Sequence, residues 1–407
     1  MDQNKRTPQV RFKGCTDAWK QRKLGDVAER VIVGLATSVT PYYRESGIPI
    51  FRNLNIKENY LDDSDILFLD EKYAKTQESK KIHTGDVLSV HTGYIGVSCL
   101  VPEKYDDCLT FTTLITTPDK AAIDSGYLVH YLNSPKGMEA IQAVTTQGGR
   151  QNLNTNDFVK VPVPLPEIAE QPRISSFFNK IDDTITLHQR KYDKLLNLKE
   201  AMLEKMFPQN GSLYPEIRFK GFTDAWEQRK VGDITVELSE YANLEAGYPL
   251  FTSSRAGLMY QNDYRGSLTT DSKETLFSVV PIGACTYRHM SDDDVFHLNV
   301  NTLEKGLVSR EYPVFFASEG TRLDFIVQYI NSSVSFRAFC AEQKKGGTRT
   351  RLYYNALCEF KMMIPSQREQ DAIADFFLRL DNLITLHQRK LEKLKNIKKA
   401  CLEKMFV

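Results

Sequence analysis

Residues 174–207 read ISSFFNKIDDTITLHQRKYDKLLNLKEAMLEKMF, and residues 373–406 read IADFFLRLDNLITLHQRKLEKLKNIKKACLEKMF. The two runs agree at 21 of 34 positions, at an offset of 199. In the first, Ile181, Ile185, His188, Tyr192, Leu195, Leu198, Met202 and Met206 recur at steps of three and four; in the second, Leu380, Ile384, His387, Leu391, Leu394, Ile397, Cys401 and Met405 do the same. That spacing lays one apolar stripe along a helix with charged residues opposite. Neither run contains Gly or Pro. Ser366-Gln-Arg-Glu369 has the form of a capping box for the second helix. Pro172 suits the first turn of the first helix, and Pro208 with Gln209-Asn210-Gly211 marks its end. Each helix then spans about 34 residues, or roughly 50 Å. A stripe this narrow needs cover, and the two copies are the obvious cover for each other. An antiparallel pair would set Ile185, His188, Tyr192 and Leu195 of one helix, and Ile384, His387, Leu391 and Leu394 of the other, about a pseudo-twofold axis.

A shorter repeat precedes each variable region. Residues 11–27 read RFKGCTDAWKQRKLGDV and residues 218–234 read RFKGFTDAWEQRKVGDI, identical at 13 of 17 positions at an offset of 207. The stretches between, about 28–165 and 235–365, are unlike each other. The order is lead-in motif, variable region, helix, and then the same again. The segments divide as 1–167, 168–207, 208–366 and 367–407. Within the variable regions Ile48–Arg52, Asp86–Val90, Leu114–Thr116 and Val159–Val163 read as strands, and Asp124–Asn133 and Arg322–Asn331 as short helices. The fold class is therefore mixed α/β: two globular regions joined by two long antiparallel coiled-coil helices, as an internal repeat. Two different heads on equivalent frames suit a protein that must present two unlike reading surfaces.

Composition is that of an ordinary globular chain, 41% hydrophobic and 26% charged. Lys and Arg (53) nearly cancel Asp and Glu (52). Such a chain binds DNA well only if its positive charge is gathered on one face or a partner supplies more. No apolar run is long enough to span a membrane, and the first residues, MDQNKRTPQVRF, lack a signal-peptide core. The seven scattered cysteines contain no C-x-x-C pair. They read as reduced, mostly buried thiols of a cytoplasmic protein.

Catalytic motifs are missing from the sequence. There is no Asn/Asp-Pro-Pro-aromatic loop of an adenine methyltransferase, and no Gly-Lys dipeptide from which to build a phosphate loop. Pro118-Asp119-Lys120 is only a three-residue match to a metal-nuclease start. His188 and His387, at equivalent helix positions, read first as half-buried, hydrogen-bonded side chains and second as a paired switch or metal site. No metal site is expected. Trp19 and Trp226 read as packing residues rather than base-stacking ones. The basic, polar segments near the end of each variable region carry more information: Gln147-Gly-Gly-Arg150-Gln151-Asn152, and Lys344-Lys345-Gly-Gly-Thr-Arg349-Thr-Arg351-Leu-Tyr353. Glycine admits close backbone approach, Lys and Arg neutralise phosphate, and Arg, Gln and Asn form paired bonds to base edges. Each segment also reads as a solvated loop. The candidate DNA-contacting residues are Tyr94, Arg150, Gln151, Asn152, Arg288, Lys344, Lys345, Arg349, Arg351 and Tyr353. The turn His91-Thr92-Gly93-Tyr94 reads equally as a DNA-facing turn and as a plain hairpin.

The lead-in Trp-x-Gln-Arg-Lys-x-Gly-Asp, the turn Thr92-Gly93-Tyr94-Ile95-Gly96, and an exit pattern complete a recognisable set. The exit runs from Val161-Pro-Val-Pro-Leu-Pro166 to Glu170-Gln171-x-Arg173-Ile174, and again from Met363-Ile364-Pro365 to Glu369-Gln370-x-x-Ile373. Used twice in this order, over nearly the whole chain, the set resembles the specificity subunit of type I restriction-modification systems. The second half departs from it: Val280-Pro281-Ile282-Gly283-Ala284 matches the glycine turn only loosely. The resemblance implies two target-recognition domains, each reading one half of a split double-stranded DNA site, with the helices as ruler. It implies docking of two modification (methyltransferase) subunits on the helices, and further motor-nuclease restriction subunits. It places S-adenosylmethionine, ATP and Mg in those partners, with no cofactor and no catalytic residue in this chain. Rigid helices between two heads suit half-sites about one DNA turn apart, roughly 34–36 Å. Two other classes stay in view: a single-chain nuclease or methyltransferase with a diverged site, and a helical scaffold that binds protein only.

Overall fold

The repeated runs form the helices their spacing predicts, Gln171–Lys205 and Gln367–Lys404. The structure, a computed structural model, describes residues 7–145, 152–209, 211–265, 274–344 and 348–407. Pro172 lies in the first turn of its helix, and the helix stops before Pro208. Ile185, His188, Tyr192 and Leu195 are half-buried; Ile384 and Leu391 are buried, and His387 and Leu394 half-buried. Leu198 and Ile397 do not lie on the covered stripe, being 39% and 40% exposed. The next residue takes the place instead. Lys199 Nζ meets Asp381 Oδ1 at 2.6 Å, and Lys398 Nζ meets Asp182 Oδ1 at 2.7 Å. A lysine stem covers apolar surface while its head reaches a carboxylate, so a charged residue sits where periodicity alone calls for leucine.

The contacts divide the chain into two compact units: Met1–Gln189 with Gln388–Val407, and Arg190–His387. Each contains a piece of both helices, and in each the pieces run antiparallel. In the first unit Asp182 holds Lys398, and further back along the first helix Phe178 stacks on Phe406, centroids 5.9 Å apart. In the second, Lys199 holds Asp381 and Phe207 stacks on Phe377 at 6.0 Å. Every one of these contacts maps onto its counterpart by the offset of 199. Each ion pair is partly solvated, so its coupling is modest. A double-mutant cycle on Lys398→Ala and Asp182→Ala is expected to return about 1 kcal/mol; urea melts measure it, and a coupling of zero would remove the pair from the account of helix register.

The last residues of each helix close a core. In the first unit Phe406 packs on Trp19, Tyr127 and Tyr131, at 6.4, 5.7 and 5.8 Å. In the second, Phe207 packs on Trp226, Phe325 and Tyr329, at 6.3, 5.7 and 5.3 Å. Both tryptophans are 2% exposed and serve as packing residues. The lead-in backbone is tied to the same helix ends: Val10 N–H donates to Lys404 O at 3.1 Å, and Ile217 N–H to Lys205 O at 2.9 Å.

The lead-in and exit motifs then pair as a two-stranded ribbon. Lys20–Lys23 runs antiparallel to Pro162–Leu165, and Glu227–Lys230 to Lys361–Ile364. A two-stranded ribbon leaves the proline nitrogens of the exit strand without a required partner. The carbonyls of Pro162 and Pro164 accept from Tyr131 and Tyr127 hydroxyls, both at 2.5 Å. Val159, expected in this strand, ends the short helix Thr155–Phe158 instead. The Gly-Asp of each lead-in has a steric reason. A Cβ on Gly25 would lie 3.1 Å from Val159 Cβ, and one on Gly232 would lie 2.8 Å from Cys358 Cβ.

The Glu-Gln of each exit motif locks this arrangement. Glu170 accepts Arg11 Nε and Nη2 at 2.8 and 2.7 Å; Glu369 accepts Arg218 Nε and Nη2, both at 2.7 Å. The neighbouring glutamines bridge to the start of the short helices: Gln171 Oε1 accepts Asp124 N–H at 2.7 Å, and Gln370 Oε1 accepts Arg322 N–H at 3.0 Å. The expected capping box at Ser366 is therefore not the role of Glu369, whose two carboxylate oxygens are bound by Arg218. The first turn is closed by Ser366 O, which accepts from the Glu369 and Gln370 amides.

The strand expected at Ile48–Arg52 is present, those expected at Asp86–Val90 and Leu114–Thr116 form as Val87–Val90 and Thr113–Pro118, and the helices expected at Asp124–Asn133 and Arg322–Asn331 form as Ser125–Leu132 and Leu323–Ser332. All seven cysteines are free thiols, and Cys99, Cys108, Cys285 and Cys340 are buried. No helix among the described residues is long and apolar enough to cross a membrane.

Candidate nucleic-acid interface

Each unit carries a four-stranded antiparallel sheet of the same order. In the first the neighbours are Ala28–Val33, Thr113–Pro118, Val87–Val90 and Ser98–Leu100; in the second they are Thr235–Glu237, Val314–Ala317, Cys285–Thr286 and Asn299–Val300. A side-chain amide fixes the correspondence. Asn133 Oδ1 accepts Ser98 N–H and its Nδ2 donates to Ser98 O, at 2.9 and 2.8 Å. Asn331 brackets Leu298 in the same way, at 2.9 Å for both bonds.

The turn after the third strand meets the basic segment in both units. In the first, His91 O accepts Leu153 N–H at 2.9 Å, and Thr92 forms an antiparallel bridge with Asn152. In the second, His289 O accepts Leu352 N–H at 2.8 Å, and Met290–Ser291 pairs with Thr350–Arg351. Segments some sixty residues apart in sequence thus form one surface at the same place in each unit.

This alignment corrects the match proposed for Val280–Ala284. Gly283 N–H donates to Asn301 O at 2.8 Å, just as Gly85 N–H donates to Val101 O at 3.0 Å, and both glycines have positive φ, +81° and +87°. Gly283 is the counterpart of Gly85, one strand earlier than Gly93. The turn equivalent to Thr92–Gly96 begins at Met290 and carries Ser291-Asp-Asp-Asp294. Two glycines looked alike in sequence because two successive turns each need a left-handed residue.

Tyr94 is 90% exposed between Gly93 and Gly96, whose φ values of +93° and +85° let the turn project it. Asn152 is exposed beside Thr92. Arg150, Gln151 and Lys345 lie outside the described residues. Lys344 is exposed just past the helix Val334–Glu342. Arg288, Arg349, Arg351 and Tyr353 are exposed, and strand pairing brings the last three beside the turn that follows Arg288. Tyr353 stacks on His289, centroids 5.5 Å apart. Burial holds the His289 imidazole below the usual histidine range and so disfavours its charged form.

Sequence reasoning missed the acidic turn and Arg255. Asp293 accepts Arg255 Nη2 at 2.5 Å on both oxygens; that bond first, then Ser291 Oγ at 2.9 Å, holds the carboxyl down at about 2. Asp292 Oδ1 accepts Arg349 Nε at 2.7 Å, and Asp294 accepts the Thr350 hydroxyl. Arg255, Arg288, His289, Asp292 and Asp293 line a cleft of about 830 Å³ in this unit. The visible signal was the run of three aspartates directly after Arg288-His289. Without the pairing to Thr350–Arg351, that run reads as a repellent of DNA.

Other candidates resolve simply. Asp119 caps its own turn, accepting Ala121 N–H at 2.9 Å, rather than facing a partner acid. His188 and His387 are half-buried. His83, Asp106 and Asp107 bring ligand-type atoms within 4.8 Å of one another at the surface. However, Asp106 Oδ1 is bound by Thr84 N–H at 2.7 Å, and Lys81 lies 3.9 Å from Asp107, so a cation there meets a competing charge.

Comparison with known proteins gives one consistent answer. The profile of the type I restriction modification DNA specificity domain matches residues 16–197 and 307–396. A protein of Methanocaldococcus jannaschii named for the specificity subunit of the MjaX type I restriction enzyme is 22% identical over 410 residues, covering 94% of this chain and 91% of that one. The EcoKI specificity subunit of Escherichia coli is 24% identical over 242 residues, or 55% of this chain and 51% of its own length. The crystal structure of the type I restriction-modification S subunit from M. genitalium aligns over 98% of this chain and 99% of that one, with a TM-score of 0.63 at 12% identity, a likeness of fold. With that profile matching more than half of its residues, the chain belongs to the family of type I restriction-modification specificity subunits.

Proposed function

We propose that the chain is the DNA-reading subunit of a type I restriction-modification complex, each unit addressing one half of a split double-stranded target. The observation that carries this is the turn-and-bridge surface, built twice at one place in the frame from unlike residues: Tyr94 on the turn whose Thr92 bridges Asn152 in one unit, Arg288, Arg349 and Arg351 beside an acidic turn in the other. Equivalent backbone gives equivalent presentation, and unlike side chains give different sequence preferences. Near-neutral overall charge suits a subunit that shares its DNA with partners. The segment division made from sequence, with recognition regions 1–167 and 208–366 and helices 168–207 and 367–407, is the functional division we propose.

The helices are the docking surface for two modification subunits. Each leaves apolar side chains uncovered at equivalent positions: Leu187 and Leu386 are 51% and 45% exposed, and Leu198 and Ile397 are 39% and 40% exposed. The first unit presents Leu187 with Ile397, the second Leu386 with Leu198. S-adenosylmethionine, ATP and Mg belong to the partner subunits, as does the chemistry, and the complex works in the cytoplasm beside the motor-nuclease subunits.

The test is methylation sequencing of DNA from cells that express the chain with a type I modification subunit. A two-part motif is expected. Exchanging residues 28–165 for those of another family member is expected to change one part and leave the other. Turnover by the chain alone would favour the single-chain enzyme, and a motif indifferent to the exchange would favour the protein scaffold.

A further inference from the structure

The second unit places a carboxylate beside an arginine where the turn after Arg288-His289 meets the segment Thr350–Arg351. Asp292 Oδ1 accepts Arg349 Nε at 2.7 Å, and both side chains are more than half exposed, at 68% and 53%. The backbone on either side is fixed. Ser291 pairs with Thr350, and Asp294 holds the Thr350 hydroxyl. Arg349 is thus anchored at its next residue and at its Nε.

That anchoring has a chemical consequence. A guanidinium has five N–H donors in one plane. Binding Nε orients the plane and leaves the two terminal amino groups side by side. Guanine presents O6 and N7 as two adjacent acceptors in the major groove, the pattern this fork fits. Phosphate is also bidentate, but it is drawn by net charge. An arginine neutralised by an adjacent aspartate offers little net attraction to phosphate, and the carboxylate repels it. The pair therefore favours a neutral base edge over the backbone. Arg255 is arranged differently: its Nη2 itself is bound to Asp293, which breaks the terminal fork.

We propose that Arg349 reads one guanine in the half-site addressed by the second unit, and that Asp292 is the positioning residue that makes it selective. This rests on the DNA-reading function proposed above. The probe is a duplex library with both half-sites randomised, offered to the chain assembled with its modification subunit and read by methylation sequencing. The native complex is expected to require guanine at one position of the second half-site. Arg349→Ala is expected to relax that position alone, with a loss on the guanine sequence of roughly 5- to 150-fold, while the first half-site stays unchanged. Arg349→Lys keeps the charge without the fork, so it is expected to relax the position too. Asp292→Ala is expected to relax it partly. Asp292→Asn retains an acceptor for Nε and is expected to keep the guanine preference. A uniform loss over all sequences in Arg349→Ala, with base preference intact, would make Arg349 a phosphate contact and overturn the proposal. So would an Arg349→Lys complex with unchanged selectivity, or a native second half-site without guanine. If exchanging residues 235–365 leaves the motif unaltered, the DNA-reading function of that unit itself fails, an outcome separate from the others.

Discussion

Phe406→Ala is expected to destabilise the first unit, some four hundred residues away in sequence from its lead-in motif, and to spare the second unit. Phe406 is 3% exposed and wedged among Trp19, Tyr127, Tyr131 and Phe178. Truncating a phenylalanine in such a site costs about 3–5 kcal/mol, the lost transfer energy plus the cavity left behind. Phe207→Ala is the mirror experiment. Phe207, also 3% exposed, sits among Trp226, Phe325, Tyr329 and Phe377, so the same cost falls on Arg190–His387. Hydrogen exchange resolved along the chain separates the two. Protection is expected to fall by roughly two to four decades in one unit per variant. Equal loss in both units, or loss in the unit that Phe406 does not pack into, would contradict the assignment of helix ends to cores.

Arg218→Ala is expected to cost about 3–5 kcal/mol, because it strands the Glu369 carboxylate in the interior. Glu369 is 1% exposed at its side chain, Arg218 14%, and their two hydrogen bonds are both 2.7 Å. The Arg218 guanidinium is held above its ordinary range chiefly by that hydrogen bond. The informative comparison is the double variant Arg218→Met with Glu369→Leu. Removing both charges removes the desolvation cost together with the attraction, so most of the stability is expected to return. Denaturant melts of the native chain, the single and the double variant measure this. A single variant as stable as the native chain would show that Glu369 finds another partner and that the clamp between lead-in and exit motifs is dispensable. Arg11 and Glu170 repeat the geometry in the first unit, at 2.8 and 2.7 Å, and the same result is expected there.

Much of the frame was written in the sequence because it depends on period and composition. Apolar residues at three- and four-residue steps without Gly or Pro leave a helix as the one way to bury them, and duplication of the run supplied a partner of matching length. The exit motif stood out as a pattern, yet its purpose did not. Glu-Gln reads as an ordinary helix start until Arg11 or Arg218 arrives from more than a hundred residues away. Lys199 and Lys398 defeated periodicity for a related reason: whether a lysine turns inward depends on a carboxylate on another helix, which one helical wheel does not contain.

The proposed reading surfaces divide in the same manner. Sequence alone picked out Tyr94 and the Arg349–Arg351 segment, since glycine turns and basic runs are local signals. It misassigned Gly283, and it passed over Asp292, whose charge argues against DNA until Arg349 is seen against it. The sequence by itself determined the helices, the doubling and the residue types offered at each head, all of them properties of neighbours along the chain. Tertiary structure decided which helix end completes which core, which carboxylate holds which arginine, and which turn faces which basic segment. Those are matters of contact between distant segments, and a contact's energy depends on burial and geometry that no local pattern encodes.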